Sequence, residues 1–138
     1  MKITFLGYKD NSVNIFPGLA KVLSKKISGL ELEERFVPFA EDIPIVALEA
    51  SEESDFIFVF ALLDDEEMAD FIKKKLIDVE IGSKTRILKV VDSDEFSGMD
   101  EEEYLDKKDK LILDFSDLIV KILFNEESFL PKDKDFSL

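Results

Sequence analysis

Cysteine, histidine and tryptophan are absent from the 138 residues. Without cysteine there is no disulfide, no reactive thiolate and no thiolate zinc site, a usage that fits a reducing compartment. Without histidine the commonest general base at neutral pH is missing, and so is the commonest imidazole metal ligand. Catalysis would fall to Asp, Glu, Lys, Tyr, Ser or Thr, or to positioning alone. Arginine is scarce, with only Arg35 and Arg86, so a bidentate phosphate clamp has little to draw on. The five glycines form neither G-x-G-x-x-G nor G-x-x-x-x-G-K-[ST], which removes the phosphate-loop readings. Positive charge is in the minority. The net charge of −14 makes nucleic acid and anionic membranes poor partners, because both demand clustered Lys and Arg. No apolar run approaches the roughly 20 residues that span a bilayer. The opening MKITFLGYKDN turns polar too soon for a signal peptide. A soluble cytoplasmic protein is expected.

What is present is a core. Hydrophobic residues make up 46% of the chain and phenylalanine occurs 13 times, so disorder is not the expected state. The length suits one domain, and no repeat or Gly/Ser linker divides it. Residues 1–126 are expected to form a single α/β domain and 127–138 a polar tail with isolated Phe129, Leu130 and Phe136.

Strands and helices alternate along the chain. KITFLGY (2–8) is rich in β-formers. In 15–27, Ile15, Phe16, Leu19, Ala20, Leu23 and Ile27 share a helical face, with Pro17 in the first turn, where no helical N–H is lost. LELEERFV (30–37) alternates like a half-buried edge strand. Pro38 stops it, and a short helix follows near Pro44. DFIFVFALL (55–63) is apolar almost throughout, as a strand buried on both faces of a parallel sheet is. DDEEMADFIKKKL (64–76) predicts a helix with acids in its first turn and lysines in its last. TRILKVVD (85–92) predicts a fourth strand, and residues 100–124 a long amphipathic helix whose apolar face includes Tyr104, Leu105, Leu111, Ile112, Phe115, Leu118, Ile119 and Ile122. The order βαβαβαβα implies a three-layer α/β sandwich with four parallel strands and flavodoxin-like topology.

Ligands in such folds bind outside the carboxyl ends of the strands. That places Tyr8, Lys9 and Asn11 after the first strand, Val37, Pro38 and Phe39 after the second, Ala61, Leu62, Leu63 and Asp64 after the third, and Asp92 after the fourth. Tyr8 and Lys9 suit hydrogen bonding or stacking, and with Asp64 they are the catalytic candidates. Asp64, Asp65, Glu66 and Glu67, with Asp92, Asp94 and Glu95, are acids of the type that hold Mg²⁺. The same acids also suit a helix N-terminus and a solvated loop, so no metal site is assigned.

One stretch carries more. VPFAEDIPIVALEA (37–50), then DFIFVFAL (55–62), resembles the V-P-G-x-x-[ED]-[IL]-P-x-A … D-x-[IV]-x-A-L-G pattern of the lumazine synthase family. TRILKVVDSDEFSGMDEEEYLDKK (85–108), the long helix and FNEESFL (124–130) are closer to the archaeal type of riboflavin synthase, which shares that fold. The resemblance runs over residues 2–130. It implies dismutation of 6,7-dimethyl-8-ribityllumazine to riboflavin by transfer of a four-carbon unit between two lumazines. It also implies a homo-oligomer, pentameric in the family, with sites between neighbouring subunits near the strand ends. No cofactor is required by that chemistry. The corner at 37–44 would wall a pteridine-like pocket, and its prolines would limit the entropy lost on binding. The sequence departs from the family in named places. Phe39 stands where the family has Gly. Gly7-Tyr8-Lys9-Asp10-Asn11-Ser12 replaces a run with Phe and Arg, Ala61-Leu62 lacks the following Gly, and the family's histidine is missing. The alternative is a paralogue that binds a flavin-like or other small ligand, or serves as an assembly subunit, without turnover.

Overall fold

A computed structural model describes residues 1–124. Four strands, β1 (Lys2–Tyr8), β2 (Glu31–Val37), β3 (Phe56–Leu62) and β4 (Arg86–Asp92), form one sheet in the order β2-β1-β3-β4. All three pairings are parallel. Helices α1 (Phe16–Lys26) and α4 (Glu101–Phe124) cover one face, and α2 (Ile43–Ala50) and α3 (Glu66–Ser83) cover the other. This is the expected three-layer, flavodoxin-like sandwich. No helix among the described residues is long and apolar enough to cross a membrane. The proposed tail, 127–138, lies outside the described residues, as do Phe129, Leu130 and Phe136.

The two faces of the sheet are built from different side chains. Strand alternation sends Phe56, Phe58 and Phe60 of β3, with Ile3 and Phe5 of β1, toward α1 and α4. Ile57, Val59 and Ala61, with Leu6, point toward α2 and α3. The first face is an aromatic cluster. Phe58 lies 6.0 Å from Phe5, 6.0 Å from Phe16, 6.2 Å from Phe60 and 5.2 Å from Phe115, between ring centroids. The second face is aliphatic and small, with Ala47, Ala50 and Ala69 buried between sheet and helices. Gly7 belongs to the first face. A Cβ there would lie 2.8 Å from Phe16 Cε2 and 3.1 Å from Phe36 Cε1, so the strand lacks a side chain where two rings pass over it.

Two expectations change. Helix α3 does not stop near Leu76 but runs to Ser83. Lys73, Lys74 and Lys75 are therefore mid-helix, and its last turn carries no basic residue. Ile72, Leu76 and Val79 keep its apolar stripe going, and Lys84 closes it in the left-handed region at φ 63°. Leu105, placed on the buried face of α4, is exposed.

The edge strand β2 is guarded by charge, as exposed edges are. Arg35 Nε donates to Glu33 Oε2 at 2.8 Å, and Lys2 Nζ sits 3.1 Å from Glu33 Oε1. The Arg35 hydrogen bond, then that from Lys2, holds the Glu33 carboxyl below its usual range. A carboxylate with a depressed folded-state pKa adds stability above its unfolded pKa, and that stability is lost as pH falls through the folded value. Glu33→Gln is expected to lower the melting temperature slightly at neutral pH, because the pair is partly solvated. The difference from the parent should close below about pH 4, where the unfolded carboxylate protonates. Thermal melts at several pH values test this; a constant difference down to acid pH would contradict it.

Candidate functional site

The strand order reverses direction at β1, so the carboxyl ends of β1 and β3 flank the point where ligands sit in doubly wound sheets. Asn11 is placed there. Its Nδ2 donates to the Phe60 carbonyl at 2.9 Å, and its Oδ1 accepts from the Leu62 N–H at 2.8 Å. The side chain thus takes up the backbone groups at the end of β3 that no strand partner reaches. Tyr8 is half-buried beside it, and its hydroxyl donates to Asp10 Oδ2 at 3.3 Å. Burial, and then the charge of Asp10, raises the phenol above its usual pKa. At neutral pH Tyr8 is therefore a hydrogen-bond donor and not a base. Lys9 leaves its ammonium in solvent while its N–H donates to the Val37 carbonyl at 2.9 Å, extending the β1–β2 pairing by one residue.

The corner after β2 has a pinned backbone and an open side chain. Val37 is buried in the aliphatic core and Pro38 is exposed. Phe39 starts a single 3-10 turn (Ala40–Asp42), closed by the Asp42 N–H on the Phe39 carbonyl at 3.0 Å, and α2 follows with Pro44 in its first turn. The Phe39 ring is 62% exposed. Ile45 and Leu48, neighbours on one face of α2, are exposed as well.

The remaining expected residues surround the end of β4. Ala61 is fully buried. Leu62 lines a cleft of about 70 Å³ on the α4 side, with Phe60, Phe96 and Phe115 as its aromatic walls. Leu63 lines another, of about 260 Å³, on the α3 side, with Asp70 and Lys73. Asp92 borders both. Asp64 is exposed and accepts from the Asp94 N–H at 3.2 Å. Asp65 caps α3, accepting from the Met68 N–H at 3.1 Å. Among the described residues no three carboxylates converge on a point a metal ion would occupy. The loop acids instead organise backbone: Asp94 accepts from Ser12 Oγ and from the Phe96 N–H.

Lys107, in the smaller cleft, has no counterpart in the sequence-based expectation. Lys107 Nζ lies 2.6 Å from Glu95 Oε1 and 5.6 Å from the centre of the Phe96 ring, closing the cleft's mouth. One signal existed: Lys107 falls on the apolar stripe of α4 between Tyr104 and Leu111. The structure therefore separates the expected residues into a seam held by Asn11, a corner presenting Phe39, and two clefts around Asp92. The smaller cleft has no room for a two-ring heterocycle, and the larger falls just short of the roughly 300 Å³ at which small-molecule sites begin.

No protein-family model matches the chain, and no curated protein sequence matches it.

Proposed function

We propose that the chain is a riboflavin-synthase-like subunit of riboflavin biosynthesis, taking up 6,7-dimethyl-8-ribityllumazine at the strand carboxyl ends as a cytoplasmic homo-oligomer. The family part of this reading rests on the resemblance of residues 37–50 and 55–62. The observation that supports a planar ligand is Phe39, a departure from the family's Gly, 62% exposed on a backbone fixed by strand pairing, a 3-10 turn and two prolines. An exposed ring on a pinned backbone at a strand carboxyl end offers a stacking surface for a planar heterocycle. Ile45 and Leu48, exposed on α2, are apolar surface for a neighbouring copy to cover, which would complete a pocket that one chain leaves open. The substrate carries no phosphate, so the acidic surface does not repel it. Phe39 would stack the ring system, Tyr8 would donate to a ring heteroatom, and Lys9 and Asp64 would stand at the rim. Much of the rate would come from holding two lumazines together.

A second reading is binding without turnover, and Asn11 favours it. Its amide is committed to β3 and the Tyr8 hydroxyl to Asp10, which leaves few free groups to move protons.

The test is to mix the full-length protein with 6,7-dimethyl-8-ribityllumazine and follow riboflavin. Riboflavin above the uncatalysed rate supports the enzyme. A change in lumazine fluorescence without riboflavin supports the binding protein. Neither response would overturn both readings. Phe39→Ala is expected to weaken lumazine binding by roughly tenfold, the size of one aromatic contact, and to leave the melting temperature nearly unchanged because the ring is exposed. Equal binding by parent and variant would remove Phe39 from the site. Sedimentation adds a check on assembly, since a clean monomer has no shared site.

A further inference from the structure

The largest cleft described, about 440 Å³, opens at the other end of the sheet, away from the strand carboxyl ends. It lies where β3 and β4 begin and α3 ends, beside Ile122 and Leu123 of α4, with Lys84 and Arg86 among its walls. Its volume is within the roughly 300–1,000 Å³ of small-molecule sites.

The charges in this cleft are unequally committed. Glu80 holds Lys89 Nζ with one carboxylate oxygen and accepts from the Ile87 N–H at 2.7 Å with the other. Asp55 Oδ2 accepts from the Lys2 N–H at 2.8 Å. Glu80 is thus neutralised by Lys89, while Asp55 meets a backbone N–H and keeps its negative charge at the cleft. Lys84 and Arg86 are exposed, and among the described residues neither side chain has an ion-pair or hydrogen-bond partner. The carboxyl end of α3 opposes an anion here, with about half a negative charge. Lys84 and Arg86 bring two full positive charges against it and against the Asp55 carboxylate, and the Lys84 N–H already takes up the Glu80 carbonyl at 2.8 Å. In a chain of net charge −14, two uncommitted cations beside apolar side chains form a distinct local environment.

We propose that this cleft binds a small anionic amphiphile, a carboxylate with a short apolar body. The carboxylate sits on Lys84 and Arg86, whose guanidinium fork matches two oxygens at once. The body lies along Met1, Ile122 and Leu123. The site is at the opposite edge of the sheet from Phe39 and does not depend on the riboflavin-synthase reading.

Calorimetric titration of the full chain with decanoate, below its micellar concentration, tests the proposal against decan-1-ol and inorganic phosphate. Saturable decanoate binding is expected, tighter than either control. The double variant Lys84→Asn, Arg86→Gln should weaken it by at least roughly tenfold, the loss of charge-assisted contacts; Asn is chosen because it tolerates the left-handed backbone. In the parent protein, decanoate should shift the amide resonances of residues 84–87 and 122–123 and leave those of 8–11 and 37–39 in place. Absent saturation, equal affinity in the double variant, a control as tight as decanoate, or shifts at the strand carboxyl ends would each overturn the proposal.

Discussion

Phe58→Ala is expected to cost about 3–5 kcal/mol of folding stability, the range for removing a buried aromatic side chain. That is a large part of the roughly 5–15 kcal/mol that holds a domain together. Phe58 is fully buried on β3, one of the two central strands, and its ring touches the rings of Phe5, Phe16, Phe60 and Phe115. These rings come from β1, α1, β3 and α4, so the void would open where two strands and two helices meet. Little can collapse into it, because neighbouring Phe60 and Phe5 are themselves fixed by the sheet. Phe58→Leu keeps most of the volume and should lose well under half as much. Urea unfolding measures both. The midpoint should fall for the alanine variant with an unchanged slope. A loss below about 1 kcal/mol would mean that the cluster relaxes around the gap and does not organise the α1/α4 face.

The alternation in DFIFVFALL was enough to place Phe58 between sheet and helices, because strand geometry sends every second side chain to the same face. For the same local reason the strands fell within a residue of their positions. Helix α3 was shortened because Lys73, Lys74 and Lys75 look like a carboxyl-terminal charge cluster; the stripe through Leu76 and Val79 continues past them. Period alone puts Leu105 inside, because it cannot say where a helix outruns its sheet. The 24 residues of α4 extend about 36 Å, against roughly 23 Å for a seven-residue strand, so part of its stripe has no sheet beneath it. At the site, chain order was sufficient to put Tyr8, Phe39, Leu63 and Asp92 at the strand carboxyl ends. It could not show how they divide. The pairing of Lys107 with Glu95, and the commitment of Asn11 to β3, depend on segments meeting across the fold. The amino-end cleft had no motif at all, since its cations matter only because Glu80 is paired with Lys89.

Asn11 is where structural and ligand-binding roles give opposite results. If its amide serves β3, Asn11→Ala leaves the Phe60 carbonyl and the Leu62 N–H without their partner. Each orphaned backbone group costs about 1–3 kcal/mol when buried. Asn11 is itself half-buried, so water can reach part of the gap, and a total of about 2–3 kcal/mol is expected. If Asn11 served a ligand instead, the substitution would spare stability and weaken only binding. Asn11→Asp sharpens the contrast. It keeps an oxygen to accept from Leu62 and replaces the donor facing Phe60 with a second oxygen. At neutral pH that oxygen is charged and repels the carbonyl. Protonation restores a donor, so the introduced carboxyl should have a raised pKa in the folded state. A group with a raised folded pKa stabilises below its unfolded pKa, and that contribution is lost as pH rises through the folded value. The aspartate variant should therefore be less stable than the parent at pH 7 and draw closer to it near pH 4, around the usual carboxyl range. Unfolding of parent and both variants at the two pH values measures this. A gap that stays constant with pH, with little loss in the alanine variant, would show that the seam between β1 and β3 does not need its amide. Asn11 would then be released to meet a ligand at the switch point of the sheet.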